Sequence, residues 1–319
     1  GTMDKFVVKM NKRAKELGMK SIAITDNGVM YGCVESYKEA KAQGIKPIIG
    51  CEIYVSQKSM YVKRNNGENE NYHLVLLVKN ETGYNNLMKI VSTASIEGFY
   101  YKPRVDHDYL KKHSEGLIAL SACVSGEVQS YILKNNLKAA RETAEFYRDT
   151  FKDGFYLELQ DHGMKEQLKV NKELKLMSKE LNIPLVATND VHYIRKEDYR
   201  AHDILLCIQT GKTVDEEDRM RYPSDEFYLK SSEQMYEMFK DVPEAIENTA
   251  KIAEECNFDY EFHKSKLPKF PLPDDVDPYE YMKNLCYEGL EKRYPRVTKD
   301  LKDRLEYELG IIKRMGYVD

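Results

Sequence analysis

The sequence predicts an α/β fold, either a barrel or a doubly wound sheet, with the barrel favoured. Three observations carry this. Short apolar runs alternate with helical patterns of roughly 10–15 residues, which implies βαβ units and a largely parallel sheet. Metal-capable side chains sit beside those runs, as expected of a barrel with its site at one rim. The chain has 319 residues, room for one large α/β domain plus a smaller element.

In order, Lys9–Leu17 is amphipathic and stops at Gly18, and Ser21–Thr25 reads as a buried strand. Cys33–Gln43 is helical, ending at Gly44, and Lys46–Ser56 is a strand. The polar run Gln57–Asn71 lacks an apolar period and is expected to be an exposed, mobile loop. Tyr72–Val78 is the next strand, and Thr82–Ile96 a helix with Thr82 as its candidate N-cap. Strands Gly116–Leu120, Phe155–Leu159 and Pro184–Thr188 are flanked by helical patterns, clearest at Lys138–Phe151 and Lys165–Leu181. After about Tyr260 the texture changes. Pro268, Pro271, Pro273 and Pro278 mark an extended linker, and Tyr279–Tyr294 and Asp300–Met315 are amphipathic helices.

The hydrophobic content of 42% and charged content of 32% fit a globular chain. The formal net charge of −4 argues against a dominant nucleic-acid-binding surface but leaves room for a local basic face. Cys33, Cys51, Cys123, Cys207, Cys256 and Cys286 form no CxxC pair. That pattern, with no signal peptide before the first helix, points to a reducing cytoplasm. No apolar run approaches a membrane span.

Several residues could carry chemistry. Asp190 and His192 follow a strand; two apart in extended backbone, they would share a face and could share a metal. The alternative is a turn held by Asn189 and Asp190. Glu52 lies in an apolar strand, where a carboxylate needs a partner or a metal unless it faces solvent at an edge. His73 opens a strand and meets Glu52 if Lys46–Ser56 and Tyr72–Val78 pair as a long-looped hairpin; otherwise it is a core histidine. Cys123, just before a helix start, could be a ligand, a nucleophile or a small buried residue. Asp26-Asn27-Gly28 is a turn signature. Lys102 and Arg104, interleaved with tyrosines, are candidate phosphate or nucleic-acid contacts, or part of a solvated loop anchored by Pro103. His107, His113, His162, His202 and His263 read as surface or structural.

Taken in order, "RAKELGMKSIAITDNGVMYG", "GIKPIIGCEIYV", "YHLVLLVKNETGYNNLMKIVS", "GFYYKPRVD", "LIALSACVSGE", "ATNDVHY" and "HDILLCIQTGKTVDEEDRMRYPSDEFYLKSSEQM" resemble the polymerase-and-histidinol-phosphatase (PHP) domain of bacterial replicative DNA polymerase alpha subunits. The resemblance implies a distorted seven-stranded (β/α) barrel over 1–265, then a linker and the first helices of a polymerase palm over 266–319. It implies zinc or manganese in an intact member, with Glu52, His73, Cys123, Asp190 and His192 at the last five ligand positions. The family's opening His-x-His and following aspartate have no counterpart, and Asn27 stands at a position usually histidine, so the expected metal site is incomplete. The parent would be a DNA-directed DNA polymerase in DNA replication, meeting DNA, a proofreading exonuclease and a sliding clamp. The barrel itself is expected to be a structural and partner-binding module with little or no phosphoesterase activity. The alternatives are a metal-dependent phosphoesterase or 3′–5′ exonuclease domain, or a free-standing sugar or histidinol phosphatase. The two C-terminal helices, with apolar stripes, are expected to support self-association.

Overall fold

The computed structural model describes residues 2–63, 71–264 and 268–318. The chain divides into two compact units, Gly1–Asp259 and Tyr260–Asp319, so the division falls within the stretch that the sequence assigned to the barrel.

The first unit is a mixed seven-stranded sheet with helices, in the order β1-β2-β3-β5-β6-β7, with β4 paired to β2. Its strands are β1 (Ser21–Ile24), β2 (Lys46–Ser56), β3 (Asn71–Val78), β4 (Arg104–Val105), β5 (Leu117–Leu120), β6 (Phe155–Leu159) and β7 (Leu185–Ala187). The pairs β1/β2, β2/β4, β5/β6 and β6/β7 are parallel. Strand β3 runs against both its neighbours. The largely parallel sheet expected from alternation is therefore broken at one strand. Strands β2 and β3 follow one another in chain order as the expected hairpin, and direct succession favours antiparallel pairing.

The sheet curls into a distorted, open barrel; among the described residues no ladder joins β7 to β1. Ile48, Val75, Leu77, Ile118, Leu120, Tyr156 and Val186 gather in one buried cluster with Ile252, Ala253 and Cys256 from the end of helix α10 (Pro243–Glu255). Strand β2 is buried from Pro47 to Ser56 because it is paired on both sides. At its centre, a Cβ on Gly50 would lie 2.5 Å from the Leu76 carbonyl oxygen, so the strands close only over glycine. Strand β1, by contrast, is a partly exposed edge and not the buried strand expected.

Helices α2 (Cys33–Gln43), α3 (Glu81–Ile96), α6 (Leu137–Phe151) and α7 (Lys165–Leu181) match the periodic segments to within a residue. Helix α1 (Thr2–Glu16) begins well before the expected Lys9, and α4 (His107–Lys112), α5 (Glu127–Leu133), α8 (Tyr199–Thr210) and α9 (Ser232–Met238) complete the set in this unit with α10. The cap of α3 is Asn80, whose side chain accepts from Gly83 N, and not Thr82. Asparagine is the stronger cap, so the helix starts one residue earlier. Of the polar run after β2, residues 64–70 lie outside the described residues. Its first part is pinned: Met60 is 1% exposed and its N–H donates to Asp106.

The second unit holds α11 (Pro278–Arg293) and α12 (Lys299–Met315). Asp277 and Thr298 cap them, and Pro278 sits in the first turn of α11. Lys283 and Tyr287 both reach Glu306, and Leu309 is buried. Tyr281, Leu285, Tyr307 and Met315 remain exposed. Among the described residues no helix is long and apolar enough to cross a membrane.

Candidate functional site

The hairpin brings Glu52 and His73 together. Tyr54 stands opposite His73 in the ladder, two residues on from Glu52, so Glu52 and His73 are diagonal neighbours on one face. His73 Nδ1 lies 2.8 Å from Glu52 Oε1. The turn after β1 adds a third group. Glu52 N–H donates to Asp26 O and Gly28 N–H to Glu52 O, which delivers Asn27 Nδ2 to 3.2 Å from Glu52 Oε1.

Cys123 arrives on the loop after β5. His73 N–H donates to Ser125 O, docking that loop on the start of β3, and Cys123 Sγ sits 3.6 Å from His73 Nδ1. Burial alone would lower the His73 pKa, but hydrogen bonds to Cys123 and Glu52 outweigh it and raise it to about 10. His73 is thus held as a cation between two groups that favour its charge.

Asp190 and His192 follow β7. His192 Nε2 is 3.1 Å from Asp190 Oδ1. They meet through a turn, not along extended backbone: Asp190 has φ 42°, a left-handed conformation that aspartate tolerates better than most residues. The turn is held by Asn189, which donates to Glu226 O and Tyr228 O, both at 2.8 Å. Burial pushes the Asp190 carboxyl up, but the bond to His192 and the charges of His192, His162 and His73 bring it below its ordinary value.

The two groups face one another: His73 acts electrostatically on Asp190, and Tyr222 feels the charges of Asp190, Glu52 and Cys123. Tyr222 Oη lies 3.0 Å from His192 Nε2. All five candidate residues thus converge on one end of the barrel. They converge as partners for each other. Glu52, His73 and Asn27 satisfy one another, as do Asp190, His192 and Tyr222, and among the described residues no three His, Cys, Asp or Glu side chains are grouped to hold a metal ion. Asn27 directs an N–H, a donor that cannot ligate, at the Glu52 oxygen.

The sequence missed two members. Glu158 on β6 is buried beneath the site, accepting from Ala122 N–H at 2.8 Å, from Thr188 Oγ1 and from Gln160 Nε2. Burial raises its pKa to about 7. A carboxylate inside the apolar run "FYLEL" was the same signal that singled out Glu52. Tyr222 carried no local signal.

Arg104 is not placed for phosphate contact. It is 2% exposed, and its guanidinium donates to the carbonyls of Gly98, Met60 and Val62. A buried guanidinium must spend its donors inside the fold, and here it ties two loops together. Lys102 is exposed, with Nζ 5.3 Å over the Tyr54 ring. His107, read as surface or structural, is partnered. Its Nε2 is 2.7 Å from Glu127 Oε2, which also accepts from buried Tyr147.

Residues 5–162 match the family model described as the PHP domain. That match places residues 5–162 in the PHP family. Homology extends along almost the whole chain. DNA polymerase III subunit alpha of Borreliella burgdorferi is 46% identical over 308 residues, covering 96% of this chain and 27% of that protein. The Treponema pallidum subunit is 44% identical, covering 97% of this chain and 27% of its own length. That of Thermus aquaticus is 43% identical, with 88% and 24% covered. The chain therefore spans about a quarter of the length of the curated relatives it matches.

Proposed function

We propose that this chain is the PHP region of a DNA polymerase III alpha subunit acting in bacterial DNA replication, and that its barrel is a structural and partner-binding module with an incomplete metal site. The homology along the whole chain supports the first part. The observation that carries the second is Asn27. Where an imidazole would offer a lone pair, the Asn27 amide instead donates to Glu52 Oε1 at 3.2 Å. In this reading Glu52, His73, Cys123, Asp190 and His192 are the remainder of a zinc or manganese site and bind metal weakly. DNA, a proofreading exonuclease and a sliding clamp are partners of the full-length protein. The residues 260–319 form the start of the next domain, and their exposed Tyr281, Leu285 and Met315 support self-association of the chain.

The test is metal titration by calorimetry with zinc and manganese, alongside hydrolysis of a phosphodiester. Weak binding and no turnover dependent on Asp190 are expected, with affinity rising about tenfold or more in Asn27→His. Tight stoichiometric metal with hydrolysis abolished by Asp190→Ala would reverse the reading in favour of a phosphoesterase.

A further inference from the structure

Two segments beside the hairpin, residues 57–63 after β2 and residues 96–102 after α3, form one surface. Arg104 clamps them from beneath through the carbonyls of Met60, Val62 and Gly98. Tyr61 Oη bridges them above, 3.1 Å from Glu97 Oε2. What this surface presents is unusual for a chain of net charge −4. Tyr61, Phe99 and Tyr101 are 61%, 52% and 73% exposed. Lys63 and Lys102 are exposed on the same two segments, whose one acid, Glu97, is bonded to Tyr61.

Tyr101 supplies an independent observation. Its φ is 58°, the left-handed region in which a Cβ crowds the following carbonyl. The turn is closed by the Tyr100–Lys102 bridge. A turn of this kind is made most cheaply with glycine or asparagine. Tyr101 bears the strain without the return of burial, and strain of that sort points to use of the side chain. The surface also adjoins the barrel-end cluster: the Tyr54 ring beneath Lys102 meets His73 edge-on at 5.2 Å.

We propose that this surface binds single-stranded nucleic acid. Bases stack on Tyr101 and Phe99, while Lys63 and Lys102 meet backbone phosphates. Exposed aromatic faces interleaved with lysines are the combination that holds unpaired strands without sequence preference, and the local positive balance matches a polyanion. The proposal goes beyond the metal reading of the barrel end and does not depend on it.

The experiment is fluorescence anisotropy of a labelled twelve-residue oligothymidylate with the full chain, in EDTA so that metal plays no part. Saturable binding with a dissociation constant on the order of 10 µM at low salt is expected, with a log–log salt slope of about −1.4 for two lysine contacts. Tyr101→Gly and Phe99→Ala should each weaken binding about tenfold. Tyr101→Gly should at the same time leave the melting temperature unchanged or raised, since it relieves the left-handed strain. Three results would overturn the proposal. One is no saturable binding below roughly 1 mM, which would leave the surface to a protein partner. Another is binding unaffected by either aromatic variant. The third is a Tyr101→Gly protein that melts lower but binds as before.

Discussion

Glu52 and His73 meet across a hydrogen-bonded ladder, whereas Asp190 and His192 meet across a turn. The first pair is set by the register of β2 and β3, seven residue pairs of antiparallel backbone in a buried sheet. The second is set chiefly by a side chain, Asn189 on the carbonyls of Glu226 and Tyr228, helped by the backbone bond from His192 N–H to Phe227 O. One half of the barrel end is thus fixed by backbone, which few substitutions can disturb, and the other by a few polar side chains whose loss leaves buried groups unpaired.

That contrast can be broken, and the largest effect is expected at Asn189. Asn189→Ala leaves Tyr228 O without its donor, while Glu226 O keeps the Lys230 ammonium, and should cost about 2–3 kcal/mol in urea unfolding. A loss below about 0.5 kcal/mol would mean that the turn is held by something other than side chains.

Glu158→Gln comes next. The amide cannot accept from Ala122 N–H, Thr188 and Gln160 as the carboxylate does, so about 1–3 kcal/mol should be lost. The pH profile carries a sign. Glu158 has its pKa raised from 4.5 to about 7, so the folded state holds this proton more tightly than the unfolded one. Its contribution is complete below pH 4.5 and is lost as pH rises through about 7. Glu158→Gln should flatten stability across that window, and an unchanged slope would refute the assignment.

A smaller effect is expected on the hairpin side. The His73 pKa is raised from 6.5 to about 10, so its ion pair stabilises fully below pH 6.5 and fades as pH rises towards 10. Because the pair is partly solvated, the change should be about 1 kcal/mol, and His73→Gln should remove it. The smallest effect belongs to Asn27→Ala. Asn27 is exposed, and its loss should shift stability by less than about 0.5 kcal/mol.

Much of the barrel was legible because its elements announce themselves locally. The bounds of α2, α7 and β2 coincide with apolar periods ended by Gly44, by the left-handed Asn182 and by the polar run after Ser56. The meeting of Glu52 and His73 was legible as one of two readings, because two consecutive strands without an intervening helix pair most easily as a hairpin. Arg104 was misread because interleaved basic and aromatic residues look alike whether the cation faces solvent or caps carbonyls. Thr82 was misread as a cap because Asn80, Glu81 and Thr82 are adjacent and only the backbone shows which residue is non-helical.

By itself the sequence determined most of the strands and the longer helices, offered the β2–β3 pairing as one of two readings, and placed carboxylate, imidazole and thiol at strand ends. These follow from period, composition and chain order, which are local quantities. Only the tertiary structure decided that β3 runs against both neighbours, that Asp190 turns left-handed to meet His192, that Tyr222 and Glu158 complete the cluster, and that Arg104 points inward. Each of these depends on groups far apart in the chain, such as Arg104 with Met60 or Tyr222 with His192. Their pairing is chosen by the competition among all buried polar groups for partners, which no single segment encodes.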